Sequence, residues 1–170
     1  SKATFASSFR LLGNSFVLMM VLSIFLVVGV DVGFNSNSGQ FLIKRFGIDQ
    51  TAAESGRSLY FFGRMLGTFA GAILLTRISS GRFFMWTSVL GIICLTAIVL
   101  VKSAALAWVL VFLIGLAVAN IWPLVFSIVI GRHPDKSNEI SGLVMMAISG
   151  GAVIPLLVGW VSDISNIALG

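Results

Sequence analysis

The sequence predicts an all-α protein built into a membrane. Three observations carry that prediction. Hydrophobic residues make up 58% of the 170 and charged residues only 10%, where soluble domains run at about 25% charged. The mean hydropathy is +1.06. Five stretches each reach the ~20 apolar residues that a hydrocarbon core demands. The 18 glycines and 14 phenylalanines fit closely packed membrane helices.

The expected spans are residues 14–43, 53–78, 83–101, 104–130 and 140–162 of one half-domain covering 1–170. The opening SKATFASSFR reads as a polar linker, and no cleavable signal is expected there. The closing SNIALG is too short to span. An odd number of spans implies either ends on opposite sides or a sixth helix outside this chain.

The first span organises the rest. It opens with fifteen apolar or small residues, Phe16 to Val30. It then places Asp31, Asn35, Ser36, Asn37, Ser38 and Gln40 within ten residues. Polar groups at such depth usually face a cavity or a bundle interior. Asp31, Asn35 and Ser38 are spaced i, i+4, i+7 and share a face. Gly33 and Gly39 beside them offer places where the helix can unwind and present carbonyls. The alternative is that these groups only hydrogen-bond neighbouring helices.

On the second span, Tyr60, Arg64, Thr68 and Gly71 form a stripe, and Gly63, Gly67 and Gly71 form a small-residue ridge suited to close helix packing. Thr51 and Glu54 fit a capping box opening this helix. The segment 46–55 reads as the longest outer loop, and Ser79-Ser80-Gly81 as the break before the third span. Arg64 lies ~12 Å and Asp31 ~18 Å from the outer helix ends at ~1.5 Å per residue. That difference is within reach of an arginine stem, so the two are expected to form a buried charge pair. Otherwise Arg64 snorkels and Asp31 faces a cavity as a proton site.

On the fourth span, Asn120, Trp122 and Pro123 interrupt an apolar run, with a proline-induced kink expected. Asn35 and Gln40 are expected to share a concave side with Asn120. Trp122 offers a stacking face for a sugar ring, or is a core tryptophan. On the fifth span, Gly150, Gly151 and Pro155 mark a bend or hinge. Residues 131–139 read as the polar link between these two spans.

Lys2, Arg10, Arg77, Arg82, Arg132 and Lys136 fall on the N-terminal side, against Lys44, Arg45, Arg57 and Lys102 on the other. This bias puts the N-terminus in the cytoplasm. The basic residues form no stripe, which argues against nucleic acid as a partner despite a pI of about 10.2. One cysteine and one histidine cannot build a metal cluster. No Gly-rich phosphate loop and no catalytic constellation appears, so neither enzyme activity nor a cofactor is expected.

Four segments resemble one family. They are VGVDVGFNSNSGQFLI, LYFFGRMLGTFAGAILLTR, ANIWPLVFSIVIG and SGLVMMAISGGAVIPLLVGWVSD. Together they are similar to the C-terminal half of the fucose-type sugar:proton symporters of the major facilitator superfamily. FGRxxGT and SGGAVIPxxxGWxSD are the more specific elements. The resemblance implies transmembrane helices 7–11 of a twelve-helix transporter in a bacterial inner membrane. It implies a missing N-terminal half-bundle as partner, a fucose-, galactose- or glucose-like sugar as substrate, and protons as coupling ions. Asn35, Asn37, Gln40, Asn120 and Trp122 would then bind the sugar. Asp31 departs from the family pattern, sitting four residues before the polar cluster. Competing readings are a facilitator-type exporter of drugs or amphiphiles, and a small self-assembling membrane protein.

Overall fold

A computed structural model describes residues 4–164, apart from the side chain of Ser162. The described residues form helices and connecting turns. A short helix α1 (Phe5–Leu11) precedes the long α2 (Ser15–Phe46), which runs 32 residues without interruption. At ~1.5 Å per residue this is roughly 48 Å, well beyond the ~30 Å hydrocarbon thickness. There follow α3 (Gln50–Leu74), α4 (Ser80–Leu100), α5 (Ala104–Val118) and α6 (Ile121–Arg132). A 3-10 turn over Pro134–Lys136 leads into α7 (Ser137–Ala147) and α8 (Gly150–Ile164).

Four of the described helical stretches are long and apolar enough to cross a membrane: Ser15–Phe46, Ser80–Leu100, Ala104–Arg132 and Pro134–Val161. The chain is an all-α integral membrane protein. Helix α3, where the second span was expected, has the length but carries Glu54, Arg57 and Arg64.

Local chemistry sets most boundaries, and several differ from expectation. The opening decapeptide holds α1, started by Thr4 and Ser7 bonding each other's backbone in a capping box. The expected 46–55 loop contracts to three residues. Gly47 adopts φ +62°, a left-handed conformation that ends α2. Asp49 then caps α3, accepting from the Thr51 N–H at 3.1 Å. The Thr51–Glu54 box does not form, because Asp49 starts the helix two residues earlier. Nor does α2 unwind at Gly33 or Gly39.

The fourth and fifth expected spans are each split. Helix α5 ends at Val118 and α6 begins at Ile121. Pro123 lies in the first turn of α6, where a missing N–H costs little, and it deprives the Ala119 carbonyl of its usual partner. The α7–α8 break falls at Ile148–Ser149, just before Gly150. Pro155 sits inside α8.

Two buried clusters form the core. Leu42, Tyr60, Val111 and Ile114 centre one, which gathers α2, α3, α4 and α5. Ile24, Val125, Val129, Ile140 and Val144 centre the other, joining α2, α6 and α7. Exposed Trp86 lies near the start of α4 and exposed Trp160 near the end of α8. Interfacial depth suits such amphipathic rings.

Candidate functional site

The most polar contact inside the bundle joins α2 to α3. Asp31 accepts at Oδ2 from the Arg64 guanidinium and at Oδ1 from the Tyr60 hydroxyl. This is the one ion pair among the described residues. The Asp31 side chain is 12% exposed and Arg64 27%. Tyr60 and Arg64 stand i, i+4 on α3, so one helical face presents both donors. The spacing of Asp31 and Arg64 made the pair visible in the sequence, but Tyr60 was read only as part of a stripe. A lone tyrosine carries no signal of its partner.

The glycine ridge brings α3 against α5. A Cβ at Gly67 would lie 2.5 Å from the Leu116 carbonyl oxygen and 2.9 Å from the Ala119 Cβ. At Gly63 it would strike the backbone of Phe112. Gly115 on α5 answers the ridge, because a Cβ there would strike the backbone of Tyr60. Asn120, at the α5–α6 break, is buried and donates its amide to the Gly67 carbonyl at 2.6 Å. Gly71 packs directly on that amide, since its Cβ would fall 2.7 Å from the Asn120 Cγ. Asn120 thus fastens a helix break to the ridge.

Helix α8 crosses α2 through a second set of small residues. A Cβ on Gly29 would come within 3.0 Å of the Gly150 carbonyl oxygen. One on Gly151 would meet Val28 and Val32, each at 3.2 Å. Gly150 and Gly151 are therefore packing residues at this crossing as well as neighbours of the break.

The polar residues of α2 diverge around the helix. Asn35 lies one turn beyond Asp31 on the same face, and its Oδ1 is buried without a hydrogen-bond partner. Asn37 donates to the Gly33 carbonyl at 2.9 Å and lines a cleft of about 190 Å³ between α2, α4 and α8. Phe34, Phe41, Leu95 and Ile98 give that cleft mostly apolar walls. Ser36 and Gln40 are exposed and line a separate groove with Glu54 and Arg57 at the start of α3.

The expected gathering of Asn35, Gln40 and Asn120 on one concave side is not what the helices produce. Asn120 meets α3 at Gly67 and Gly71, while Gln40 faces its opposite end. Trp122 is half-buried in the first turn of α6 and lines neither cavity. No cluster of three or more metal-ligating side chains occurs among the described residues.

No family model matches the chain. Proteins named glucose/galactose transporter in two strains of Brucella abortus are 28% identical to it over 155 residues. That covers 90% of the chain and 37% of each of those proteins. A Helicobacter pylori protein provisionally named a glucose/galactose transporter is 27% identical over 146 residues, 84% of the chain and 35% of that protein. The chain thus spans about a third of the length of the curated relatives it matches, and those relatives are named as transporters of sugars.

Proposed function

We propose that this chain is the C-terminal half-bundle of a proton-coupled sugar transporter of the major facilitator superfamily. Its substrate would be a hexose such as glucose or galactose. The observation that carries this reading is the amide- and hydroxyl-bearing segment 35–40 on a membrane-spanning helix, taken with the names of the relatives that align along it. Amides both donate and accept, as sugar hydroxyls do. Ser36 and Gln40 are the members left exposed, so they are proposed to face the sugar across the midline from a partner half-bundle. Alternating access would rock the two halves around that site.

Arg64 and Tyr60 hold the Asp31 carboxylate, which suits a counter-ion tying α2 to α3. The group that carries the coupling proton is proposed to lie in the partner half. The expected membrane is the bacterial inner membrane, with the N-terminus cytoplasmic.

The test is uptake of radiolabelled galactose and glucose by the full-length protein in proteoliposomes, with and without an imposed pH gradient. Uptake should be hexose-selective and driven by inward proton movement. Asp31→Asn should lower protein yield or stability while leaving the pH dependence of residual uptake in place.

A second reading, export of amphiphiles, draws support from the mostly apolar walls of the cleft lined by Asn37. Competition of hexose uptake by hydrophobic cations, with hexoses themselves inert, would favour it.

A further inference from the structure

A second cavity lies away from the polar segment of α2, where α1 meets the α6–α7 turn. It has a volume of about 630 Å³ and is lined by Ser7, Arg10, His133, Lys136 and Glu139 among others. It holds charges of both signs that form no ion pair. Glu139 is 9% exposed, yet its carboxylate makes no ion pair and no hydrogen bond among the described residues. Its place in the first turn of α7 gives it a favourable helix dipole but no donor. Arg10 and Lys136 are exposed and form no ion pair. The His133 Nε2 is buried without a partner, while its ring lies 6.3 Å from that of Phe16. Arg132, next along, is drawn instead over the Phe16 ring at 4.3 Å.

A simple anion would satisfy Arg10 and Lys136 and leave Glu139 repelled. A simple cation would do the reverse. A ligand carrying a phosphate and an ammonium a few bonds apart satisfies both. Asn14, which also lines the cavity, caps the start of the membrane-spanning α2, so the cavity lies beside the point where that helix begins. We propose that this cavity binds the headgroup of an aminophospholipid of the phosphatidylethanolamine class. Its ammonium donates to Glu139, and its phosphate accepts from Arg10 and Lys136. A choline headgroup lacks the N–H that Glu139 requires. A glycerol headgroup lacks the positive charge. Lipid recognition by basic residues at a membrane surface follows the same electrostatics.

The test is retention of lipid by the full-length protein in native mass spectrometry, after exchange into nanodiscs of phosphatidylethanolamine, phosphatidylglycerol or phosphatidylcholine. Phosphatidylethanolamine should be retained about fivefold better than either other lipid, the equivalent of ~1 kcal/mol. Glu139→Gln should erase that preference and leave phosphatidylglycerol retention unchanged or raised. Lys136→Gln should weaken both phosphatidylethanolamine and phosphatidylglycerol, and gives an independent variant if Glu139→Gln folds poorly. Equal retention of the three lipids, or an undiminished preference in Glu139→Gln, overturns the proposal. So does competition by water-soluble phosphoethanolamine at the same concentration as the lipid, which would make the ligand a free metabolite.

Discussion

Replacing Gly67 by alanine adds a single methyl group at the close crossing of α3 and α5. Its Cβ would sit 2.5 Å from the Leu116 carbonyl oxygen, 3.0 Å from the Leu116 Cα and 2.9 Å from the Ala119 Cβ. Two of those three atoms are backbone, so no side chain can rotate away. Helices α3 and α5 must separate. Overpacking of this kind costs about 1–3 kcal/mol. Separation also stretches the 2.6 Å bond from Asn120 to the Gly67 carbonyl, a loss of about 0.5–1.5 kcal/mol. The expected destabilisation is about 1.5–4.5 kcal/mol in all. Cys94 is the chain's one cysteine and is buried, so a thiol-reactive dye reports its exposure on heating. The assay compares Gly67→Ala with Gly131→Ala in α6, where a Cβ meets nothing within 4 Å. The second change should be neutral or stabilise by up to ~1 kcal/mol. Equal melting of the two variants would refute the close-packing argument.

Other predictions follow from the same geometry. Tyr60→Phe removes a hydrogen bond to a charged acceptor and should cost about 1.5–3 kcal/mol in thermal unfolding. Asp31→Asn leaves Arg64 without its counter-ion. Because that arginine is 27% exposed, the loss should be about 1–3 kcal/mol rather than the full cost of a buried orphan charge. The double change Asp31→Asn with Arg64→Gln should recover part of the loss, as a double-mutant cycle would show. Gly150→Ala drives a methyl into the Phe25 backbone and should destabilise the protein by about 1–3 kcal/mol. Gly81→Ala, in open space, should change melting by less than about 0.5 kcal/mol.

The sequence shows some of this architecture directly. Apolar runs long enough to span locate the helices, because length and hydropathy are one-dimensional properties. The Gly63–Gly67–Gly71 ridge announces a close crossing, because only small residues every four positions permit one. Asp31 and Arg64 are legible as a pair, because each is too costly to leave alone. What sequence does not show is direction. Asn120 reads as a cavity amide, yet the helix break beside it turns its side chain onto Gly67. Gln40 and Asn35 look equivalent on paper, but α2 exposes the first and buries the carbonyl of the second. The α5–α6 break lies three residues before Pro123, so the proline signals a kink without fixing its place. Helix α1 escapes notice because seven residues with two phenylalanines have no clear period.

Hexose is proposed to bind at the exposed polar face of α2, at Ser36 and Gln40. The measurement is an isothermal titration of galactose and glucose into the full-length protein and its Gln40→Ala variant, with folding checked by melting temperature. The wild type should bind at least one of the two hexoses. Gln40→Ala should weaken that binding about 2- to 13-fold, the equivalent of losing one hydrogen bond of about 0.5–1.5 kcal/mol, at unchanged melting temperature. Hexose binding with the same affinity in the variant, or no binding of either sugar to the folded wild type, would contradict it.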